Sequence, residues 1–351
     1  MNVTDVGHLT NDSDDGDDKI EAAAKKEGKD AGDIAQFYFD AFLHDFKKLN
    51  LVEPQQWTWA TKHIEEQIDL VQKLEKKGYT YETSDGIYFD TSKFTDYGKL
   101  SNKKIEDIEA GKRTAMREKK HPTDFALWKF SGDEKRLQEW ESPWGTGFPG
   151  WHIECSAMSM KYLGETFDIH TGGEDHIHIH HENEIAQSEG ATGKPFCNFF
   201  MHGAFLVLPE GKMGKSEGNI KTISEFEKDG ISPLAFKFFT YSAHYRKPLT
   251  WTVDGLKAAQ DTFKKLKRIT TQLQDDKKEH KAYLKKFEDA INDDLNIPQA
   301  IAVLWELLRD EKATGKYHTV KKMDSVFGLN LLEKEHIDIP QDIIDLSLIH
   351  I

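Results

Sequence analysis

The chain of 351 residues is too long for one hydrophobic core and predicts two or three domains. A formal net charge of −14 argues against a general nucleic-acid binder, although a local basic stripe would still allow tRNA binding. The chain has two cysteines, Cys155 and Cys197, no secretory leader and no apolar run of about 18 residues, which predicts a reduced, cytoplasmic protein without a membrane span.

The first third of the chain predicts helices and one hairpin. Residues 20–49 repeat apolar positions at helical spacing, with a break at Gly28. A second amphipathic helix is predicted over residues 58–77. Residues 79–90 then alternate apolar and polar positions around Asp85-Gly86, which predicts a β-hairpin.

The rest of the chain predicts a parallel sheet followed by helices. Residues 166–170 are typical of a strand and residues 182–190 of a helix. We expect this strand and helix to belong to the parallel sheet of the main domain. From Gly255 onward the pattern is helix after helix, with no further glycine before Gly315. We interpret this last region as a separate α-helical domain.

Three residues near the middle of the chain have the chemistry of metal ligands. His180 and Glu184 are four residues apart at the start of a predicted helix, so their side chains share one face. Cys155 would join them from a neighbouring strand or helix start. One sulfur, one nitrogen and one oxygen suit zinc with a coordination position to spare. On spacing alone, the favoured interpretation is a buried apolar Cys155 with the histidines as a polar strand end.

Two more histidines, His176 and His178, alternate with isoleucines in what looks like a strand facing the same cleft. A second metal held by this pair is an alternative interpretation. The following His181-Glu182 does not begin a metalloprotease helix motif, because Ile185 stands where the second histidine belongs.

A glycine-flanked loop carries two lysines, Lys212 and Lys215. Glycines allow such a loop to close and reopen, and a lysine positioned by closure can stabilise charge on a polyphosphate. Upstream, Gly172 and Gly173 would let a nucleotide approach the backbone closely. Taken alone, the lysines are typical of a surface turn.

In their order along the chain, these segments resemble the cysteinyl-tRNA synthetase family of class I aminoacyl-tRNA synthetases. Its hallmarks are a GWHIECSAM segment, a GGxD segment that runs into HHENEIAQS, and a KMSKS loop. This chain has the first at residues 150–158, the second at 172–188 and, with glycine in place of the first serine, the third at 212–216. Further segments that resemble the family are residues 2–5, 124–129, 142–145, 243–246 and 292–298.

The resemblance implies an α/β fold, in which a class I synthetase Rossmann-like nucleotide-binding domain with an insertion is followed by an α-helical domain. The two halves of the nucleotide-binding domain, here incomplete, would be residues 1–78 and 150–222, with the insertion at 79–149. A stem-contact linker would follow at 223–254, and a DALR-type helical tRNA-binding domain at 255–345. The protein is expected to be a monomer.

The resemblance also implies a reaction. L-Cysteine and ATP, with Mg²⁺, would give cysteinyl adenylate and pyrophosphate, and tRNA(Cys) would then accept the cysteinyl group. Zinc on Cys155, His180 and Glu184 would recognise cysteine directly, because zinc deprotonates a thiol whereas an alcohol resists ionisation. The other implied site residues are Thr4, Trp151 and Asp175 at the amino acid or ribose, Gly172, Gly173, Asp175 and Lys215 at ATP, and Lys212 and Lys215 as catalytic groups at the departing pyrophosphate.

Two expectations concern the ends of the chain. The family begins with a strand that carries a zinc-ligand cysteine, followed by a HIGH motif that holds the ATP phosphates, and the printed sequence contains neither. A truncated chain, inactive in ATP–pyrophosphate exchange, is therefore expected. Residues 346–351 are either a sequencing artefact or an ordinary C-terminus.

Two other functions stay open at this point. A paralogue that ligates cysteine to an amino sugar would keep the same zinc site and lysine loop, although the lysine-rich composition disfavours it. A zinc-binding module without catalysis is the alternative of a different class. Aminoacylation of tRNA separates an enzyme of translation from both.

Overall fold

The structure is a computed structural model that describes residues 1–7, 9–11, 15–102, 118–132, 136–209 and 221–334. The chain divides into two compact units. The first comprises Met1–Asp45 and Val52–Phe205, and the second comprises Phe46–Leu51 and Leu206–Ile351. The six segments expected from the sequence are a finer division than this one, and their boundaries remain predictions.

The first unit mixes short strands with helices. Its strands are β1 (Asn2–Val3), β2 (Leu9–Asn11), β3 (Asp15–Asp18), β4 (Thr58–Trp59), β5 (Thr80–Thr83), β6 (Gly86–Phe89), β7 (Phe125–Phe130), β8 (Gly147–Pro149), β9 (Phe167–Gly173) and β10 (Cys197–Gly203). Its helices are α1 (Lys19–Glu27), α2 (Ala31–Lys48), whose last residues belong to the second unit, α3 (Ile64–Lys76), α4 (Ile153–Leu163) and α5 (His180–Thr192). Strands β5 to β8 form an antiparallel sheet in chain order, β2 and β3 pair antiparallel, and β1 pairs with β4, and β9 with β10, in parallel.

The predicted hairpin is present as β5 and β6. Ser84 and Asp85 form its turn, and the Asp85 carboxylate accepts a hydrogen bond from Lys129 of β7 at 2.7 Å. Gly86 lies so close to β7 that an added Cβ would come within 2.3 Å of the Trp128 carbonyl oxygen. Close strand packing therefore requires the glycine that made the turn recognisable.

The helix predicted over residues 58–77 starts later than expected. Its first residues form β4, which pairs in parallel with β1, and a 3-10 turn at Ala60–His63 precedes α3. Local periodicity could not indicate this pairing, because β1 lies at the start of the chain. The break predicted at Gly28 is confirmed, since Gly28 has a φ of 65° between α1 and α2.

One hydrophobic cluster joins α3, α4 and α5 to the antiparallel sheet. Phe89 and Phe125 stack within it at a ring-centroid distance of 5.1 Å, and Trp128 is fully buried beside them. Ile153 and Ile185 anchor α4 and α5 in the same cluster. The core therefore fixes the two helices whose first turns carry the predicted metal ligands.

The second unit is mainly helical, as the pattern after Gly255 predicts. Its elements are β11 (Leu206–Val207), α6 (Ile223–Lys228), α7 (Pro233–Thr240), β12 (Leu249–Thr250), α8 (Val253–Thr270), α9 (Lys281–Asn292), α10 (Ile297–Arg309) and α11 (Lys316–Phe327). Strands β11 and β12 pair in parallel, and helices α7 to α11 enclose a separate hydrophobic core. Among the described residues, no helix has both the length and the apolar character needed to cross a membrane.

Two of the family-like segments meet in this unit. Arg246 and Tyr245 both donate hydrogen bonds to the Asp294 carboxylate, at 2.5 and 2.6 Å. Asp294 and Leu295 have left-handed backbone, with φ of 52° and 53°, at the corner between α9 and α10. Hydrogen bonds from Arg246 and Tyr245 lower the pKa of Asp294 to about 2. Left-handed backbone costs free energy at residues other than glycine. The hydrogen bonds to Asp294 therefore help to stabilise this corner.

We expect Phe327→Ala to destabilise the second unit by roughly 3–5 kcal/mol, because Phe327 is fully buried and packs against Phe287 at 5.3 Å. Val326→Ala is the matched control, since Val326 precedes Phe327 on α11 and is 51% exposed. Its free energy of unfolding should change by roughly 0.5 kcal/mol or less. Urea denaturation followed by circular dichroism measures both variants, and similar midpoints would contradict the assigned core.

Candidate active site

Helix α5 is polar and yet almost entirely buried. Its buried polar residues are His181, Glu182, Asn183, Glu184, Gln187 and Ser188. Burial of polar groups costs free energy unless they are paired. Glu182 accepts hydrogen bonds from the backbone N–H groups of Gly98 and Ser101, and Tyr97 donates to Asn183 at 2.6 Å. These contacts hold the helix that presents two of the predicted metal ligands.

Cys155, His180 and Glu184 converge at the first turns of α4 and α5. Each offers one donor atom, and these atoms lie within 4.8 Å of one another. Oε1 of Glu184 lies 2.9 Å from Nε2 of His180, one helical turn away. Glu184 is buried, whereas Cys155 and His180 are partly exposed, so a ligand can reach the donor set from their side.

A neighbouring histidine orients His180. Nδ1 of His152 lies 2.8 Å from Nδ1 of His180. His152 precedes α4 with left-handed backbone, at a φ of 79°. Because Nδ1 of His180 is engaged by His152, Nε2 is the nitrogen that faces Glu184. Contacts of this kind fix the ring orientation of metal-binding histidines.

The pKa values of Glu184 and Cys155 are shifted in opposite directions. Burial alone would raise the pKa of the Glu184 carboxyl, but its contacts with His170 and His180 outweigh burial and hold the pKa well below its usual range. Burial, followed by the charges of Glu184 and Glu154, raises the pKa of the Cys155 thiol well above its ordinary value. A metal bound here would therefore meet a carboxylate and would have to displace a thiol proton.

Trp151 lies beside the donor set. Its ring stacks on His152 at a centroid distance of 5.1 Å and meets His180 edge-on at 5.9 Å. Thr4, also predicted to contact the substrate, is exposed directly after β1. Asp175 is exposed in a 3-10 turn at Glu174–His178.

Gly172 and Gly173 end β9. A Cβ added to Gly172 would lie 2.7 Å from Nδ1 of His176 and from Cε1 of His181. Gly172 therefore makes room for two histidine rings, which is a role the sequence did not indicate. Its predicted role at a nucleotide stays a prediction.

The two catalytic lysines predicted from the sequence, Lys212 and Lys215, lie outside the described residues. Their roles stay predictions.

The strand predicted for His176 and His178 is wrong. Both lie in the 3-10 turn that joins β9 to α5. His176 reaches the site, with its ring centroid 4.8 Å from that of His180, whereas His178 is exposed. The alternation with isoleucine imitated a strand because a tight turn places successive side chains on different sides.

Several residues of the site were not identified from the sequence. His170 of β9 brings Nε2 to 2.5 Å from Oε2 of Glu184, and His202 of β10 brings Nε2 to 2.9 Å from Nδ1 of His181. The Asn2 side chain contacts the Cys155 thiol. The available signal was the position of His170 at the end of the strand predicted over residues 166–170, because the carboxyl ends of strands form sites in α/β sheets. No predicted element marked His202, whose strand β10 is known only from the structure.

Two family models match the chain. The one described as the tRNA synthetases class I (C) catalytic domain matches residues 2–261, and the one described as the DALR domain matches residues 286–332. Among curated relatives, cysteine–tRNA ligase 1 of Burkholderia lata is 47% identical over 349 residues, which cover 98% of this chain and 74% of the relative. Cysteine–tRNA ligase of Treponema denticola is 40% identical over an alignment of 364 positions, gaps included, that covers 95% of this chain and 74% of the relative.

A solved structure shows the same fold at low identity. The Mycobacterium tuberculosis methionyl-tRNA synthetase in complex with methionyl-adenylate matches with a TM-score of 0.62 at 14% identity, over 89% of this chain and 78% of that one. The predicted fold class is thus confirmed, as a Rossmann-like class I catalytic domain followed by a helical DALR domain.

Proposed function

The chain belongs to the cysteine–tRNA ligase family of class I aminoacyl-tRNA synthetases, and we propose that it activates L-cysteine with ATP and transfers the cysteinyl group to tRNA(Cys). The observation that carries the proposal is the convergence of Cys155, His180 and Glu184, donor atoms within 4.8 Å, in a chain of this family. ATP would enter with Mg²⁺, and the reaction would take place in the cytoplasm with a monomeric protein.

The donor set fits zinc. Thiolate, imidazole and carboxylate are its usual ligands, and three protein ligands leave a coordination position for substrate. His152 holds His180 with Nε2 toward Glu184, which is the orientation a ligand requires. When bound, zinc would take the thiolate of cysteine in preference to the hydroxyl of serine.

The surrounding residues would bind and orient the substrate. Trp151, which packs on His152 and His180, would close over the amino acid and exclude water from it. Asn2 would keep the Cys155 side chain turned toward the site, since it contacts the thiol. Thr4 and Asp175 would meet the amino acid or the ribose, and Gly172 and Gly173 would leave room for adenosine.

The loop at residues 211–218 would act on the phosphates. Negative charge grows on the departing pyrophosphate as the bond to the α-phosphate breaks, and a positioned cation stabilises that charge. Lys212 and Lys215 would supply it, and glycines in the loop would allow closure and product release.

The proposal is tested by charging tRNA(Cys) transcript with labelled cysteine, using the full-length gene product and ATP. Formation of cysteinyl-tRNA supports it. Cysteine-dependent adenylation that proceeds without charging of tRNA, but with transfer to an amino sugar, would instead assign the chain to an amino-sugar ligase. Zinc binding with neither reaction would assign it to a non-catalytic module.

We expect His152→Gly to weaken zinc binding by roughly 10–100-fold, because glycine removes the ring nitrogen that holds Nδ1 of His180. Glycine is the suitable replacement, since it tolerates the left-handed backbone at this position and leaves no polar atom near His180. Competition against a chromogenic chelator measures the affinity. As a control, His121→Gly changes a histidine of the same unit outside the site, and an equal loss in both variants would refute a specific role for His152.

A further inference from the structure

A glutamine between β7 and β8 holds the backbone that follows β1. Oε1 of Gln138 accepts a hydrogen bond from the backbone N–H of Gly7 at 2.8 Å, and its Nε2 donates to the backbone carbonyl of Asp5 at 2.8 Å. We infer that Gln138 is a positioning residue, which fixes the backbone of Thr4 so that the Thr4 hydroxyl contacts the amino-acid substrate. The inference rests on the proposed function, and it assigns Thr4 to the amino acid and not to the ribose.

The two hydrogen bonds of Gln138 replace those of a neighbouring strand. β1 pairs with β4 at Asn2 and Val3, and the pairing ends there. From that point Gln138 supplies a donor and an acceptor to backbone groups two residues apart, as the next residues of a paired strand would do. Asp5 and Gly7 are buried, so these backbone groups would be costly without a partner.

Thr4 lies between two fixed stretches of backbone. Before it, β1 is paired with β4. After it, the Asp5 carboxylate accepts a hydrogen bond from the backbone N–H of Thr61 at 3.0 Å, and Val6 packs in the hydrophobic core at 2% exposure. Thr4 itself is exposed. A polar side chain that is exposed on rigid backbone is suited to binding, because little conformational entropy is lost when a ligand contacts it.

The segment that carries Gln138 is itself anchored on β8. Two residues after Gln138, Trp140 pairs with Gly147 through backbone hydrogen bonds of 2.7 and 2.9 Å. Two residues before it, the guanidinium of Arg136 lies 3.9 Å from the ring centroid of Phe148. Both flanks of Gln138 thus contact one strand of the antiparallel sheet, so the side chain is a firm support for the backbone that it holds.

The same backbone reaches the metal donor set at its other end. The Asn2 side chain contacts the Cys155 thiol and accepts a hydrogen bond from the Thr58 hydroxyl at 3.0 Å. Thr4 follows Asn2 by two residues, and side chains two positions apart on extended backbone point to the same side. A substrate whose sulfur is bound beside Cys155 would therefore meet Thr4 with its amino-acid part.

The test is a double-mutant cycle in the full-length gene product. Gln138→Met keeps the length of the side chain and removes both hydrogen bonds, whereas Thr4→Val removes the hydroxyl. Each should weaken the apparent affinity for cysteine in single-turnover adenylate formation by roughly 3–10-fold, as for the loss of one neutral hydrogen bond, while the rate at saturating cysteine stays unchanged. The double variant should lose no more affinity than Thr4→Val alone, because Gln138 acts through Thr4.

Hydrogen exchange separates positioning from a general loss of stability. The Gly7 amide should exchange at least roughly tenfold faster in Gln138→Met than in the wild-type protein, whereas amides of α4 and α5 should keep their rates. Gln138→Glu keeps the acceptor for Gly7 and loses the donor to Asp5, so its cysteine affinity should lie between those of Gln138→Met and the wild-type protein. Gln36→Met is the control, since the Gln36 side chain hydrogen-bonds to Asp40 on α2, and it should change neither cysteine affinity nor exchange at Gly7.

The outcomes distinguish this inference from the proposed function. A wild-type protein that forms no cysteinyl adenylate would overturn both. If the wild-type protein is active and the effects of Gln138→Met and Thr4→Val simply add, Gln138 does not act through Thr4 and the inference alone is wrong. Faster exchange at Gly7 without weaker cysteine binding in Gln138→Met would likewise overturn the inference and leave the proposed function intact.

Discussion

Lys215→Ala is expected to lower the rate of adenylate formation by roughly 10²–10³, while the affinity for cysteine stays nearly unchanged. The reason is that the pyrophosphate charge develops only as the bond to the α-phosphate breaks, so a lysine that faces it acts on the transition state. Single-turnover formation of cysteinyl adenylate by the full-length gene product, at saturating ATP and varied cysteine, separates the rate from the affinity.

Lys228→Ala provides the matched control for this prediction. Lys228 is an exposed lysine at the end of α6, thirteen residues after Lys215 in the sequence. Its replacement removes one positive charge without touching the loop, so adenylate formation should be unchanged. Normal adenylation by Lys215→Ala combined with weaker cysteine binding would show that Lys215 binds the amino acid and does not stabilise the leaving group.

The features that could be predicted from the sequence are those with short-range causes. The hairpin followed from a turn signal at Asp85-Gly86, and the break between α1 and α2 from Gly28. The shared face of His180 and Glu184 followed from helical spacing, and the structure places them 2.9 Å apart. In each case the residues that decide the geometry lie within a few positions of one another in the sequence.

The features that could not be predicted depend on distant partners. Residues 58–59 directly precede a segment with helical periodicity, and the sequence therefore predicts them as part of the helix. In the structure they pair in parallel with β1, which satisfies their backbone hydrogen-bonding groups. His170 lies on β9 and Glu184 on α5, and only the packing of the strand against the helix brings the two side chains together. Sequence spacing carries no information about such a contact.

The burial of α5 could not be predicted from the sequence either. A helix that reads HHENEIAQS has the composition of a solvated surface, and nothing in its periodicity marks it as interior. In the structure its polar residues are buried, and partners such as Tyr97 satisfy them. A buried polar helix is expensive, so its presence beside the buried contact between His170 and Glu184 is itself an indication of a functional site.

Cys155→Ser is expected to remove most of the discrimination between cysteine and serine. Apolar pockets separate such near-isosteres by only roughly 10²-fold, so any larger preference must come from a group that distinguishes sulfur from oxygen. In the proposed site that group is zinc, and Cys155 supplies its only sulfur ligand among the described residues. The variant should therefore bind less zinc, bind cysteine more weakly, and show a preference of roughly 10²-fold or less.

Cys197→Ser is the control, because Cys197 is the other cysteine of the chain and its Sγ contacts the Phe199 carbonyl oxygen at 3.6 Å within β10. It should keep the zinc content and the preference of the wild-type protein. The measurement is kcat/KM for cysteine- and serine-dependent adenylate formation, paired with zinc content, for both variants. If Cys155→Ser lost zinc and still preferred cysteine as strongly as the wild-type protein, the shape of the pocket would be the selective element, and Trp151 and its histidine neighbours would have to supply it.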